Sequence, residues 1–276
     1  MLHPRWNFSS RARELSDADV IVLSIPKSGR TWVRTFLNAY YAAHIGHEFS
    51  LAVTDHRAEG IPRIIYSHDR FEHRTKGNNW DRIRGKYLVP QREMMRARIV
   101  LLARDPRDTF VSYFVQLTRR NPATPNELRQ MSADALLRHR RFGIAAMVEV
   151  MNRWLEEFAD RNDFIIVRYE DFRADPSRNF RDLLKAMGEK QIDEAALNRA
   201  IDFSDFRNMQ KLEAAGEFGS KILRPRDRED PDSFKVRQGK IGSFREYLSE
   251  EGSNYAAQAC STLNPRFGYG IQRRGK

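Results

Sequence analysis

The segment Ile25–Trp32, IPKSGRTW, gathers the groups a chain needs to hold a phosphate. Gly29 lets backbone amides approach an anion closely. A following helix would add free N–H groups and a positive dipole end. Lys27 supplies a full charge, and Ser28 and Thr31 supply hydroxyls. This is the physics of a P-loop in a different order. An ATP-binding Walker loop places its Lys after its glycines, whereas Lys27 precedes the one glycine here. Taken alone, the segment suits a strand–turn–helix corner equally well. Two more residues could do chemistry. His68 follows the apolar run RIIYS, and a neutral imidazole there could accept a proton from a hydroxyl. Arg104 follows RIVLLA and offers a planar fork for a phosphate, or else a salt bridge with Asp105 or Asp108. His44 and His47 have metal-like spacing near Glu48, but no further ligand cluster accompanies them.

These residues share a context. Asp19–Ile25, Arg63–His68, Arg98–Ala103 and Phe164–Val167 read as short buried strands. Helical patterns follow at Arg30–His44, from Pro106 through Gln116, at Phe142–Ala159, from Pro176 to near Gly188, and at Asp193–Ile201. Strands alternating with helices predict an α/β fold: a single domain over 1–276, its central parallel sheet flanked by helices. Ligands of such sheets bind beyond the carboxyl ends of the strands. The phosphate loop, Ser67-His68 and Arg104-Asp105-Pro106 all follow strands, so one edge should gather them. Residues 1–18 read as an N-terminal extension. Residues 214–242, polar and rich in Gly, Pro and alternating charge, read as a mobile closing loop.

Composition sets limits. The chain has 276 residues, 48 Lys plus Arg against 37 Asp plus Glu, and a net charge of +11. Thirty-eight of the basic residues are arginines, a surplus that suits a polyanionic ligand. The single Cys260 excludes a disulfide framework. No apolar run approaches the roughly 18 residues of a membrane span. MLHPRWNFSSRARELSD has no secretory h-region, so the expected compartment is the cytoplasm and no integral membrane contact is expected. No nucleic-acid motif is visible, and no nucleic-acid partner is expected.

PKSGRTW resembles the PKSGTTW signature of the sulfotransferases that use 3′-phosphoadenosine 5′-phosphosulfate (PAPS). Four further segments resemble that family in order: RDPRDTFVSY (104–113), RYEDFRADP (168–176), SDFRNM (204–209) and FKVRQGKIGSFREY (234–247). One short motif is weak, and five in order over residues 19–247 are strong. The resemblance implies a P-loop-like, nucleotide-kinase-like architecture and a sulfuryl transfer that leaves 3′-phosphoadenosine 5′-phosphate (PAP). It implies that Lys27, Ser28, Gly29, Thr31 and Trp32 hold the phosphosulfate end, with Arg30 in place of the family's first Thr. Arg104 and Ser112 match the 3′-phosphate pair. Arg237, Gln238 and Gly239 match the closing contacts to the same phosphate, with Gln238 where the family usually has Lys. Phe206 matches the aromatic that stacks on adenine opposite Trp32, while Ser204 and Tyr169 match polar adenine contacts. Lys27 and His68 are the implied catalytic pair, although Tyr66 replaces a family Lys two residues before His68. Chemistry supports Lys27: charge grows on the bridging oxygen as the nucleotide leaves, and a cation there stabilises it. The leaving group is already a stable nucleotide phosphate, so no metal is required.

The acceptor is expected to be a small molecule, glycan or glycolipid carrying a hydroxyl, less readily an amine. Two other readings stay open on the residues alone: a P-loop-like nucleotide kinase, and a nucleotide-binding module without catalysis.

Overall fold

A computed structural model describes residues 5–58, 60–216 and 239–269. Its centre is one sheet of four parallel strands: β1 Val20–Ser24, β2 Ile64–Ser67, β3 Arg98–Ala103 and β4 Phe164–Arg168. The spatial order is β2-β1-β3-β4, with Val20 opposite Ile64 and Arg98, and Ile99 opposite Phe164.

Helices pack on both faces. α1 is Arg30–His44, α2 Asp69–Thr75, α3 Pro106–Val115 and α4 Ile144–Phe158. α5 is Tyr169–Ala174, α6 Pro176–Met187, α7 Glu194–Phe203, α8 Phe206–Ala215 and α9 Glu250–Ser261. Successive strand side chains point to opposite faces, and the core divides accordingly. Val20, Val22, Val100 and Leu102 pack with Phe36 and Leu37 of α1, Phe180 of α6 and Leu197 of α7. Ile21, Leu23, Ile99 and Leu101 pack with Phe110 of α3, Trp154 of α4 and Cys260 of α9. Fully burying one such side chain stabilises by roughly 1.5–3 kcal/mol. A sheet covered on both faces therefore needs strands as uniformly apolar as VIVLS, all five residues of which are buried.

Local signals set the helix ends. Asp105 accepts from the Arg107 N–H ahead of Pro106, and Asp175 accepts from the Arg178 N–H ahead of Pro176. The helix expected from Pro106 through Gln116 closes at Val115, and the chain winds on as a wider π-helical turn over Gln116–Arg120. Such turns redirect side chains and recur at functional sites. The segment ahead of β1 is pinned to the core through Arg5, which donates to Asp69 at 2.8 Å and also pairs with Glu157. Of the expected closing loop, residues 217–238 lie outside the described residues, and with them Arg237 and Gln238.

Candidate active site

Because all four strands run parallel, their carboxyl ends share one edge, and the residues that follow them line one cavity of about 480 Å³. Lys27 follows β1, His68 follows β2, Arg104 follows β3 and Tyr169 follows β4. Gly29, Arg30, Thr31, Trp32, Ser112, Phe206 and Gly239 also reach its wall. Ser28 and Ser204 do not line it. Ser28 is buried within the loop, and the Ser204 hydroxyl donates to the Ile201 carbonyl at 3.4 Å.

The loop is built as its sequence suggests, with strain. Gly29 caps α1 at φ +96°, where a side chain is disfavoured. A Cβ there would stand 2.6 Å from the Tyr169 ring. Lys27 also takes a left-handed backbone, φ +77°, although it is not a glycine. That conformation costs of order 1–3 kcal/mol and persists only where neighbours impose it. Arg104 is one such neighbour: Nη1 donates to the Lys27 carbonyl at 3.2 Å and Nη2 to the Lys240 carbonyl at 3.1 Å. Asp105 and Asp108 are not its partners. Asp105 pairs with Arg107, while Asp108 accepts from the Gly242 and Phe244 N–H groups and the Ser243 hydroxyl. The Arg104 Nε is buried with no hydrogen-bond partner among the described residues. The guanidinium lies 4.5 Å over the Tyr169 ring.

Tyr169 is the common wall of this half of the site. Its ring meets Trp32 edge-on at 5.7 Å, and a Cβ on Gly239 would stand 2.9 Å from Phe206 and 3.4 Å from the Tyr169 oxygen. Burial raises the Tyr169 pKa, so its hydroxyl stays protonated. Trp32 and Phe206 both face the cavity, with the Arg173 guanidinium 5.9 Å from one ring and 5.7 Å from the other. Arg173 and Asp108 were missed in the sequence. Arg173 had a signal in its spacing, four residues after Tyr169 and so on the same helical face, whereas Asp108, held by Gly242, Ser243 and Phe244, had none.

His68 has its orientation fixed. Nδ1 lies 2.7 Å from the Ser24 main-chain oxygen. A carbonyl can only accept, so Nδ1 carries the proton and the neutral ring has its lone pair on Nε2. The next residue, Asp69, has φ +38° and is wholly buried. Its carboxylate accepts from Arg5, from Trp154 Nε1 at 2.9 Å and from the Val89 N–H at 3.0 Å. Burial alone would raise this carboxyl; the Arg5 guanidinium and these hydrogen bonds outweigh it and hold it below the usual carboxylate range. Tyr66, which stands where the resembled family has Lys, does not line the cavity. Its ring lies beside the Arg34 guanidinium at 5.4 Å.

Beyond His68 the cavity continues along α2 and the π turn, past Glu72, Thr75, Tyr113, Gln116 and Arg120. Burial, the largest influence on Arg30, pushes its guanidinium down to about 10. His44 sits 3.4 Å from Asp193, and among the described residues no cluster of three His, Cys, Asp or Glu could hold a metal ion. Among the same residues no helix is long and apolar enough to cross a membrane.

Comparisons with known proteins agree with this geometry. The model of the sulfotransferase domain matches residues 17–267. "Cytosolic sulfotransferase 6" of Arabidopsis thaliana is 24% identical over 257 residues, covering 86% of this chain and 76% of its own. "Amine sulfotransferase" of Oryctolagus cuniculus is 21% identical over 261 residues, covering 87% and 78%. Among solved structures, retinol dehydratase in complex with androsterone and the inactive cofactor PAP aligns with a TM-score of 0.62 at 17% identity, over 91% of this chain and 82% of that one. Mouse sulfotransferase SULT7A1 complexed with PAP aligns with a TM-score of 0.60 at 17% identity, over 93% and 84%. The domain match spans the phosphate loop, all four strand ends and the closing segment to Phe267, so the chain belongs to the sulfotransferase family and is a PAPS-dependent sulfotransferase.

Proposed function

We propose that this enzyme sulfates a hydroxyl, with His68 as general base and Lys27 at the leaving phosphate. One observation carries this reading: the Nδ1 bond to Ser24 leaves the His68 lone pair on Nε2, in a residue that lines the same cavity as Lys27. The acceptor oxygen attacks sulfur, its proton passes to Nε2, and the bond from sulfur to the bridging 5′-phosphate oxygen breaks. Lys27, with the amides at the start of α1, stabilises the charge that grows on that oxygen. Trp32 and Phe206 take the adenine, beside Tyr169. Arg104 and Ser112 take the 3′-phosphate, and the Arg104 Nε, buried with no partner among the described residues, supports that role. Arg237, Gln238 and Gly239 would close over it. A glycan or glycolipid acceptor fits the polar lining past His68, an amine acceptor less well, because the imidazole is positioned to take a hydroxyl proton. The cytoplasm is the proposed compartment, in keeping with the cytosolic relatives.

The test is thermal shift with PAP, AMP and ATP plus magnesium, followed by an acceptor screen with labelled PAPS. Selective stabilisation by PAP and label transfer to a hydroxyl are expected. An equal response to ATP plus magnesium, or transfer confined to amines, overturns this reading.

A further inference from the structure

The part of the cavity past His68 carries positive charge that the donor does not account for. Lys27, Arg104, Arg173 and Lys240 lie around the phosphate loop, the two aromatic rings and the closing segment. Arg30, Lys76 and Arg120 are the other basic residues of the wall, and Glu72 is its one acidic residue among the described residues. Glu72 is already shared by two cations, Lys76 at 2.7 Å and Arg11 at 3.2 Å. Arg120 has Glu213 at 4.0 Å. The Arg30 side chain makes no hydrogen bond or ion pair with any described residue, although it lines the cavity. The charged and titratable groups that act on it most strongly are Glu72, Arg34, Tyr66 and Arg11, and Glu72 is the one carboxylate among them. Arg34 is itself satisfied by Asp55 at 2.8 Å. Among the described residues Arg11, Lys76 and Arg120 pair with Glu72, Glu213 and Glu14, the last 3.9 Å from Arg11, and Arg30 alone of these four cations has no ion pair there.

A half-buried cation that meets no counter-charge among the described residues is costly, and a guanidinium fork matches a carboxylate or phosphate ester in two parallel hydrogen bonds. We propose that Arg30, with Lys76 and Arg120 beyond it, receives an anionic group carried by the acceptor, so that this enzyme sulfates hydroxyls of molecules that are already acidic. The inference rests on the proposed hydroxyl transfer and names the acceptor class for it. Arg30 would thereby determine specificity, where the resembled loop has an uncharged Thr. A neutral acceptor would leave the guanidinium unpaired.

Calorimetry on the PAP-saturated full chain tests this with two matched sets: 4-hydroxyphenylacetate, 2-(4-hydroxyphenyl)ethanol and tyramine; and glucuronate, glucose and glucosamine. In at least one set the carboxylate should bind about tenfold or more tightly than the neutral member, the lower range for a charge-assisted contact, and the amine most weakly. Arg30→Gln should cut that preference to within about threefold, Arg30→Lys should retain part of it, and PAP affinity should move less than the preference does. Carboxylates that bind no better than the neutral members in both sets, absence of binding included, overturn the proposal. So does a preference that survives Arg30→Gln, or a loss of PAP affinity in Arg30→Gln as large as the loss of preference, which would return Arg30 to the donor. Failure of the wild-type chain to bind PAP at all would instead strike the reading of the donor site.

Discussion

Arg104 donates to the main-chain carbonyl of Lys27 at 3.2 Å, so the residue that follows β3 holds the loop that follows β1. The same guanidinium holds Lys240 of the closing segment at 3.1 Å. One side chain thus ties the Lys27 loop to the segment at Lys240, while its third donor, Nε, has no partner among the described residues.

Arg104→Gln should weaken PAP binding about ten- to hundredfold, the size of a lost charge-assisted contact. AMP, which lacks the 3′-phosphate, should lose less than about threefold, read by calorimetry. Equal losses for both nucleotides would make Arg104 a prop for the Lys27 loop and nothing more.

Lys27→Ala should lower kcat by about a hundred- to a thousandfold, because its charge is needed most where the leaving oxygen becomes an anion. PAP affinity should fall much less. Single-turnover rates at saturating PAPS separate the two effects, and unchanged turnover would remove Lys27 from the chemistry.

His68→Ala should cut transfer to a hydroxyl by at least about a hundredfold while the protein still folds and binds PAP. Wild-type rate should climb with pH as the imidazole loses its proton, because only the neutral ring accepts one. The variant should lose that acid limb. Turnover within a few-fold of wild type, with the limb intact, would leave the base unassigned.

Asp69→Asn should destabilise the fold by about 3–5 kcal/mol, since it leaves the Arg5 guanidinium buried without its counter-charge. The sign of the pH effect follows from the lowered carboxyl. Its contribution is fully present above the unfolded pKa of about 3.9 and is lost as pH falls through the lower, folded value. Denaturation curves of the wild type should therefore show stability falling over that acid range. The variant should lack this component, and the same acid slope in both would place it elsewhere.

What the sequence determined by itself was local. VIVLS, RIIYS and RIVLLA have the short, mainly apolar character of buried strands, and the structure places strands within a residue of those runs. Asp105-Pro106 and Asp175-Pro176 announced helix starts because capping acts over three residues. Parallel pairing then obliged Lys27, His68 and Arg104 to share an edge, and the order of five motifs pointed to the family. What only the tertiary structure decided depends on residues distant in the chain. Arg104 could have paired with Asp105 or Asp108, but Asp108 is taken by the closing segment, 134 residues on. The tautomer of His68 is set by Ser24, 44 residues earlier. Arg30 has no ion pair among the described residues, where Glu72, the carboxylate that acts on it most strongly, is shared by Arg11 and Lys76. Charge pairing is settled by which side chains the packed fold brings within reach, and no spacing along the chain encodes that competition.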